Sequence, residues 1–415
     1  MPGIFCFVKR CYGSEKKRTI NPLVLISNNQ NIYFNLSLEN FILTNYNELL
    51  KYLNVNTIEK YNQPVLFLWR NNKSIIIGKN QNIWSECDLD NIKKNNVLVA
   101  RRFTGGGAVY HDLGNLCFTF LNNNINKNNN YNIILNTLKN HFNIDAKLHG
   151  RNDITVNDKK CSGSAFKNIK DVFLHHGTIL IDIEKNVLNK YLTPNKIKYI
   201  KHGVSSVNAR TVNLKEINNN ITYENLCIAL IKEFQKFYNI SATSSDTISA
   251  TNSNSIDGKN DEIFDQVSDN LSINNINQQN NTNLINNNDI ISNNLNVHYI
   301  DTNQNIIKNP QFLKYYNLLK DWDWCYGKTP KFQNTFCKQF SFGRLEICFD
   351  VKNGLIKDGN VFSDSLDINL IDQLKLIFNN DIKYTKESIN DFLKNIKVEN
   401  KESLEEITSW ILEEL

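Results

Sequence analysis

The chain has 415 residues, of which 41% are hydrophobic and 11% aromatic, a composition that predicts a globular protein with a large core and more than one domain. Its formal net charge of +5, from 47 basic and 42 acidic residues, argues against a dedicated nucleic-acid-binding protein, which usually has a concentrated basic face. Mild basicity suits a small anionic substrate or an acidic protein partner, and no apolar run is long enough to predict a membrane span.

Residues 1–18 differ in composition from the rest of the chain. Apolar residues recur at helical spacing around Lys9 and Arg10, and no acidic residue occurs before Glu15. We therefore interpret residues 1–21 as a basic tail that serves as a mitochondrial presequence. A short disordered tail on a cytoplasmic protein is the alternative, and Pro2 and Gly3 favour it.

The folded part is expected to begin at Pro22. An apolar run predicts a strand at 23–26, and apolar spacing then predicts a helix at 35–53. Residues 65–69 and 74–78 are predicted to be the two strands of a hairpin, because the asparagines between them suit a turn.

Alternating strands and helices are predicted for the rest of this region. The predicted strands lie at 96–101, 108–110, 115–120, 154–156 and 172–183, and the predicted helices at 131–142 and 221–238. Hairpin-connected strands with helices between them predict an α+β domain on a mostly antiparallel sheet over residues 22–240.

The composition then changes abruptly. Residues 241–298 are dominated by Asn, Ser, Asp and Gln, and such a segment cannot bury enough apolar surface to offset the entropy of ordering. We expect a disordered insertion, either a passive expansion or an interaction segment. Residues 299–415 are predicted to be a small α+β domain, with order returning near Phe312, strands at 340–351 and 359–363, and a turn at Asn353-Gly354.

Nine cysteines are scattered along the chain without C-x-x-C pairs or the His/Cys spacing of a zinc site. This pattern predicts reduced thiols in a reducing compartment. Cys161, next to Lys160, is a candidate nucleophile. The sequence offers no general base for it, and a small buried side chain is the simpler interpretation.

A glycine-rich segment carries the first functional motif. Arg101 and Arg102 precede three consecutive glycines, Gly105, Gly106 and Gly107. Glycine lets the backbone approach a ligand closely, successive N–H groups can converge on phosphate oxygens, and arginine matches a phosphate or carboxylate with a planar fork. The segment predicts an anion site. A glycine-rich hairpin beside a solvated arginine pair is the alternative, because neither the P-loop nor the dinucleotide pattern is present.

Four motifs follow one another along the chain: RRFTGGGAVYHD at 101–112, GRND at 150–153, KCSGSAF at 160–166 and HHGT at 175–178. In this order they resemble the lipoate-protein ligases. The resemblance covers residues 22–238 and 312–415, and it includes the Trp-x-Trp spacing of Trp322 and Trp324 in the C-terminal region.

The resemblance implies the α+β catalytic fold that these ligases share with biotin ligases, followed by a small α+β accessory domain. It implies that lipoate reacts with ATP to give lipoyl-AMP and pyrophosphate, and that a lysine of an acceptor protein then takes the lipoyl group. The implied acceptors are lipoyl-domain proteins, namely E2 subunits of 2-oxo-acid dehydrogenases and the glycine-cleavage H protein. A monomer is the simplest expectation, and a biotin ligase is disfavoured because its Gly-Arg-Gly-Arg-x-Gly loop is absent.

The resemblance also implies residue roles. Lys160 takes the position of the catalytic lysine between the lipoate carboxyl group and the α-phosphate, where a compact charge can serve both. The residues implied to bind ATP and lipoate are Arg101, Arg102, Gly105, Gly106, Gly107, Ala108, Val109, Tyr110 and Lys160. Asp153 is implied to help place Mg²⁺ or the nucleotide, with a turn-closing role as the alternative. His176 is expected to be a packed or hydrogen-bonded residue, and His111 and Asp112 are expected to fix the loop.

Residues 201–210 resemble the loop that closes over the adenylate in these ligases. His202 and Asn208 stand where the family usually has a lysine and an arginine. Two alternatives therefore stay open: a lipoyl or octanoyl transferase acting through a Cys161 thioester, and a non-catalytic lipoyl-adenylate-binding protein. ATP-dependent release of pyrophosphate distinguishes the ligase from both.

Overall fold

The computed structural model describes residues 22–53, 63–123, 126–192, 211–244, 297–301, 305–365 and 367–415. The predicted presequence, the predicted adenylate loop at 201–210 and residues 245–296 of the predicted insertion lie outside these ranges. None of the described helices combines the length and apolar character needed to cross a bilayer.

The strands are β1 (Leu23–Ser27), β2 (Val65–Trp69), β3 (Ser74–Ile77), β4 (Leu98–Arg101), β5 (Val109–His111), β6 (Asn115–Asn122), β7 (Lys147–His149), β8 (Asp153–Val156), β9 (Lys159–Ile169), β10 (Val172–Leu180), β11 (Val297–Ile300), β12 (Phe332–Phe340), β13 (Gly343–Lys352) and β14 (Leu355–Ser363). The helices are α1 (Ile32–Thr44), α2 (Leu49–Tyr52), α3 (Ile83–Glu86), α4 (Leu89–Lys94), α5 (Lys127–Phe142), α6 (Lys185–Tyr191), α7 (Tyr223–Ser244), α8 (Asn305–Lys308), α9 (Pro310–Lys320), α10 (Ile368–Lys375), α11 (Lys386–Asn395) and α12 (Lys401–Glu414).

An eight-stranded mixed sheet forms the centre of the N-terminal domain, in the order β11-β1-β2-β6-β10-β9-β8-β7. β1 pairs in parallel with β11 and β2, whereas each pair from β2 to β7 is antiparallel. Leu23 and Leu25 belong to the apolar cluster of α1 and α9, while Val24 and Ile26 belong to that of α5 and α7. Burial on both faces explains why β1 is apolar at four successive positions. The predicted α+β fold on a mostly antiparallel sheet is confirmed.

The predicted hairpin of residues 65–69 and 74–78 is wrong. β2 belongs to the large sheet, whereas β3 pairs in parallel with β4 and antiparallel with β5 in a separate three-stranded sheet. Asn71 lies between them and is fully buried, with hydrogen bonds to Asn35 and His111. Tertiary contacts of this asparagine direct the chain away from β2, so a local turn signal was misleading.

The helix predicted at 35–53 is divided into α1 and α2. Asn31 caps the start of α1, since its side chain accepts hydrogen bonds from the backbone N–H groups of Tyr33 and Phe34. Asn45 ends the helix by donating its side-chain N–H to the carbonyl oxygen of Phe41 at 2.9 Å. Asparagine competes with the helical backbone in this way, which overrides the apolar periodicity.

The domain boundary predicted at residue 299 is also wrong. β11 adds an edge strand to the large sheet, with Val297 opposite Val24, and α9 packs on α1 through the rings of Phe34 and Phe312, whose centroids are 5.5 Å apart. The segment that follows the predicted insertion therefore completes the N-terminal domain. This pairing joins strands far apart in the chain, so the local pattern could not reveal it.

A small antiparallel sheet with the order β12-β13-β14 forms the C-terminal domain together with α10, α11 and α12. The strand predicted at 340–351 corresponds to β13, while β12 was not predicted. Asn353 and Gly354 join β13 to β14 with positive φ values of 53° and 72°, which confirms the predicted turn.

Candidate active site

A cleft of about 470 Å³ lies where the large sheet meets the β4-β3-β5 sheet. All four sequence motifs contribute to its lining, although they are distant in the chain. The predicted binding residues that line it are Arg102, Gly106, Gly107, Ala108, Val109, Asp153 and Lys160. The structure therefore gathers the main candidates into one concave site.

The glycine loop at 105–107 is held by the guanidinium group of Arg102. Its Nη2 donates to the carbonyl oxygens of Gly105 at 2.7 Å and Gly107 at 2.8 Å, and its Nη1 donates to that of Ile76 at 3.2 Å. Burial lowers the pKa of Arg102 to about 10, so the group remains charged at neutral pH. Arg102 thus fixes the shape of the loop and places a buried positive charge beside the cleft.

The loop also packs closely on the chain that follows β3. A Cβ added to Gly78 would lie 2.0 Å from the carbonyl oxygen of Gly106, which leaves no space for a side chain. Gly106 itself has a φ of +95°, a conformation that favours glycine. These two glycines therefore permit the loop to approach β3 and to line the cleft.

A chain of buried hydrogen bonds connects the glycine loop to α1. His176 Nδ1 donates to Glu39 Oε1 at 2.8 Å, and His176 Nε2 is 2.8 Å from Thr104 Oγ1. Thr104 Oγ1 accepts from Arg102 Nε at 3.1 Å, which joins the chain to the guanidinium group. Thr119 donates a further bond to Glu39 at 2.6 Å. The expectation that His176 is hydrogen-bonded is confirmed, and its position links α1 to the glycine loop.

Lys160 and Asp153 face one another on adjacent strands. The Lys160 Nζ atom is 2.8 Å from Asp153 Oδ1, and the two side chains are 31% and 24% exposed. Asn152 clamps the GRND motif to β9, since its side chain donates to the carbonyl oxygen of Ser164 at 2.7 Å and its own carbonyl accepts from Ser164 N at 2.9 Å. A Cβ on Gly163 would lie 2.8 Å from Lys160 Nζ, so this glycine makes room for the lysine.

The side chains of Arg101 and Tyr110 lie outside the cleft. Arg101 is fully buried, and its guanidinium group donates to the carbonyl oxygens of Gly78 and Gln81. The same group donates to the C-terminal domain, at Cys325 O (2.9 Å) and Thr329 Oγ1 (3.0 Å). Tyr110 alternates with the cleft residues Val109 and His111 along β5, so its ring turns away and packs near Tyr191. Neither side chain lines the cleft, so the implied binding role of Arg101 and Tyr110 stays a prediction.

Gly105 lies at the exposed side of the glycine loop and does not line the cleft. Asp112 fixes the end of the loop as expected. Its two carboxylate oxygens accept from the backbone N–H groups of Gly114 at 2.8 Å and Glu184 at 3.2 Å.

Cys161 does not have the environment of a nucleophile. Its side chain is 0% exposed and its thiol donates to the carbonyl oxygen of Ile154 at 3.4 Å. Burial raises the pKa of Cys161 to about 12, which opposes formation of a thiolate. The transferase alternative through a Cys161 thioester is therefore not supported by the geometry.

Several cleft residues were not predicted from the sequence. Glu39 supports the site from α1 and Trp69 lines it, while Arg151 and Thr178 also line it and lie in the GRND and HHGT motifs without having been singled out. The sequence could have indicated that Glu39 is a functional residue, because it is the single acidic residue within the apolar stretch 36–43. Trp69 ends an apolar strand and carried no comparable signal.

Comparisons with known proteins identify the family of the chain. The model of the lipoyl protein ligase A/B catalytic domain matches residues 31–235, and that of the bacterial lipoate protein ligase C-terminus matches residues 329–411. The chain is 72% identical to lipoate–protein ligase 1 of Plasmodium falciparum over the full length of both, and 34% identical to lipoate-protein ligase A of Psychrobacter cryohalolentis over 93% of this chain and 96% of that protein.

Among solved structures, a crystal structure of Plasmodium falciparum LipL1 in complex with lipoate matches 95% of this chain and 100% of that one, with 66% identity and a TM-score of 0.58. The catalytic and C-terminal family models occupy the two domains that the structure shows. The chain thus belongs to the lipoate-protein ligase family.

Proposed function

We propose that this protein activates lipoate with ATP and transfers the lipoyl group to a lysine of an acceptor protein. A carboxylate oxygen of lipoate attacks the α-phosphorus, the bond to the pyrophosphate oxygen breaks, and lipoyl-AMP forms. The acceptor amine then attacks the carbonyl carbon of the mixed anhydride, loses a proton, and AMP leaves. Family membership and the assembled cleft support this reaction.

The position of Lys160 is the observation that carries the proposal. Its ammonium group emerges from β9 into the cleft beside the glycine loop, with a single carboxylate as its ion-pair partner among the described residues. Both chemical steps concentrate negative charge between a carboxyl group and a phosphoryl group. A fixed cation there typically lowers the barrier by a few kcal/mol. We assign Lys160 this role in contact with the lipoate carboxyl group and the α-phosphate.

The glycine loop is proposed to bind nucleotide and the acyl chain. Gly106, Gly107, Ala108 and Val109 line the cleft, and Arg102 holds the loop through the carbonyl oxygens of Gly105 and Gly107. Most of the N–H groups of Arg102 form hydrogen bonds to that loop and to Ile76, so few remain for a substrate. We therefore assign Arg102 the role of positioning the loop and of supplying a long-range electrostatic attraction.

Mg²⁺ fits the chemistry of the site through Asp153. Mg²⁺ usually binds proteins through one or two carboxylates together with substrate phosphates and retained waters, and Asp153 offers a partly exposed carboxylate in the cleft. The described residues contain no group of three or more His, Cys, Asp or Glu side chains arranged for a metal ion. We therefore propose a metal held by nucleotide phosphates and Asp153, where it would neutralise phosphate charge.

The acceptors are proposed to be lipoyl-domain proteins, namely E2 subunits of 2-oxo-acid dehydrogenases and the glycine-cleavage H protein, acted on by a monomeric enzyme.

We further propose that residues 1–21 direct the protein to mitochondria. A fluorescent fusion of the whole chain should locate there, and removal of residues 1–21 should leave it in the cytoplasm. Unchanged location after the deletion would contradict the targeting proposal.

The transfer reaction can be tested with a purified lipoyl domain. Incubation with lipoate, ATP, Mg²⁺ and this protein should raise the intact mass of the domain by one lipoyl group. Replacement of the acceptor lysine by arginine in that domain should prevent the increase. A protein that forms lipoyl-AMP without modifying either kind of acceptor would support the adenylate-binding alternative instead.

A further inference from the structure

Lys160 lies at a point where β9 changes its neighbour on one side. β10 pairs with β9 as far as Ser162, which lies opposite Ile179. At Lys160 the strand pairs in parallel with Thr211 instead. The backbone N–H of Val212 donates to the carbonyl oxygen of Lys160 at 2.9 Å. Thr211 and Val212 therefore take the place of β10 beside the lysine of the proposed reaction.

The other side of β9 is irregular at the same point. Ile154 of β8 lies opposite Ser162 and Thr155 lies opposite Lys160, so Cys161 is an extra residue in this strand pair. An extra residue of this kind forms a β-bulge, which bends the strand and increases its twist. Cys161 is fully buried and belongs to the apolar cluster of α5 and α7. The bend thus lies where β9 exchanges β10 for its new neighbour.

The segment that contains Val212 is firmly anchored. Val212 and Leu214 are buried and belong to the apolar cluster of α5 and α7. Between them, the side chain of Asn213 donates to the carbonyl oxygen of Ile183 at 2.9 Å and accepts from its backbone N–H at 3.2 Å. A buried segment that is tied to the neighbouring backbone in this way can hold the strand that it contacts.

The direction of the Lys160 side chain depends on the backbone that carries it. The ammonium group reaches Asp153 on β8, and the side chain passes so close to Gly163 that a Cβ there would lie 2.8 Å from both Cε and Nζ. This space is narrow, so a rotation of the Lys160 main chain would move the ammonium group out of it. A displacement of about 1 Å at a reacting centre can lower a rate by roughly a hundredfold.

We propose that Val212 is a positioning residue of the reaction, whose backbone N–H holds the carbonyl group of Lys160 and thereby aims the ammonium group into the cleft. The inference rests on the proposed function of the cleft and adds a residue that does not line it. The bond acts through the main chain of Val212. Its side chain fills the core and is not needed to aim the lysine.

A pair of substitutions at one position tests this role. Val212→Pro removes the N–H group, and the extended backbone of Thr211 in its bridge with Lys160 is compatible with a following proline. Val212→Ala is the matched control, because it keeps the N–H and removes only methyl groups from the core. We expect kcat for pyrophosphate release, per folded protein, to fall by about tenfold or more in Val212→Pro and to change by less than about twofold in Val212→Ala. Equal kcat values in the two variants would overturn the proposal.

A second variant isolates the hydrogen bond from the rigidity of proline. An ester bond between residues 211 and 212, introduced with the α-hydroxy analogue of valine, replaces only the N–H group by oxygen and keeps the side chain. It should lower kcat by about three- to tenfold, as expected for the loss of one backbone hydrogen bond. An undiminished kcat in the ester variant would contradict the role of the bond.

A double-mutant cycle separates positioning from support of the fold. Lys160→Ala removes the group that Val212 is proposed to aim. Val212→Pro should therefore lower the residual pyrophosphate release of Lys160→Ala no further. A loss by the same factor in both backgrounds would show that the bond only stabilises the structure, and would overturn the proposal.

Chemical labelling tests the position of the amine without any catalytic activity. Reductive methylation followed by peptide mass spectrometry gives the labelling rate of Lys160 relative to that of Lys139, an exposed lysine of α5. An amine held in an ion pair reacts more slowly than a free one, so this ratio should rise in Val212→Pro and stay constant in Val212→Ala. If the unsubstituted protein releases no pyrophosphate, the proposed function is refuted and the ratio still tests Val212. An unchanged ratio in Val212→Pro would overturn the positioning role.

Discussion

Lys160 Nζ lies 2.8 Å from Asp153 Oδ1, across the antiparallel pair of β9 and β8. The pair is partly exposed, so its contribution to folding is small, and its position in the cleft is its more important property. Asp153 orients the ammonium group in the cleft that the glycine loop also lines. When phosphate and carboxylate oxygens enter, the lysine can exchange its partner while the carboxylate remains available to a metal ion.

The proposed metal role of Asp153 gives the first prediction. Asp153→Asn keeps the size of the side chain and removes its charge, so the Mg²⁺ concentration for half-maximal pyrophosphate release should rise by about tenfold or more. A titration of activity with Mg²⁺ measures this. Asp182→Asn, at an exposed ion pair with Lys215, is the control and should not change the titration. An unchanged midpoint for Asp153→Asn would refute the metal role.

Gly163 gives a second prediction, because a Cβ there would lie 2.8 Å from both Cε and Nζ of Lys160. Gly163→Ala should displace the lysine and lower kcat by about tenfold or more, while the flexible end of the lysine side chain yields and the fold survives. Gly105→Ala is the matched control, since a Cβ on Gly105 has no atom within 4 Å. Steady-state kinetics and thermal unfolding of both variants check this. Equal activity of the two variants would contradict the assigned geometry.

Arg101 gives a third prediction, about stability. Its guanidinium connects β4 to the π-helical turn Asp323–Gly327 through Cys325 and to Thr329 of the C-terminal region. Arg101→Met should lower the free energy of unfolding by about 2–4 kcal/mol, because several buried acceptors lose their donor. Lys93→Ala removes an exposed ion pair with Glu387 between the same domains and should lower the free energy of unfolding much less, because solvent screens the pair. Denaturant titration distinguishes the two, and a loss for Arg101→Met as small as that for Lys93→Ala would contradict the structural role.

The buried histidines give a fourth prediction, about pH. Burial lowers the pKa of His111 and of His175 to about 3, below the ordinary value of 6.5. Between these values the unfolded chain binds more protons than the folded one, so the free energy of unfolding falls as the pH falls from 6.5 toward 3. Each histidine contributes a slope that approaches about 1.4 kcal/mol per pH unit.

His175→Phe should make that slope less steep by about this amount between pH 6 and pH 5, where carboxylates remain largely ionised. Denaturant titrations at several pH values measure the slope. Phe120→Leu changes a buried ring beside His175 without changing a titratable group, so it serves as the control that should leave the slope unchanged. An identical pH dependence in His175→Phe and the unsubstituted protein would mean that His175 titrates normally in the folded state.

Local sequence patterns predicted the elements that depend on neighbours in the chain. The helix at 131–142 appeared as α5, the helix at 221–238 as α7, and the turn at Asn353-Gly354 as predicted. The four motifs also indicated the segments that line the cleft, through their resemblance to the lipoate-protein ligases. Local chemistry was sufficient for these features.

Contacts between segments that are far apart in the chain could not be predicted from local sequence patterns. Asn71 was interpreted as part of a hairpin turn, whereas its buried bonds to Asn35 and His111 send the chain to another sheet. β11 was not predicted, and its residues were divided between the predicted insertion and the C-terminal domain, because its partner β1 lies far away in the chain. Arg101 and Arg102 are adjacent and chemically identical, and only the surrounding fold directs one to the domain junction and the other to the glycine loop.

We propose that Lys160 carries the activation of lipoate, and pyrophosphate release by the purified protein with ATP, Mg²⁺ and lipoate tests this role. Release should depend on lipoate, should not occur with biotin, and should fall by about a hundredfold or more in Lys160→Ala, with Lys159→Ala as the neighbouring control that retains it. Pyrophosphate release that is independent of lipoate, or that proceeds normally in Lys160→Ala, would contradict the account.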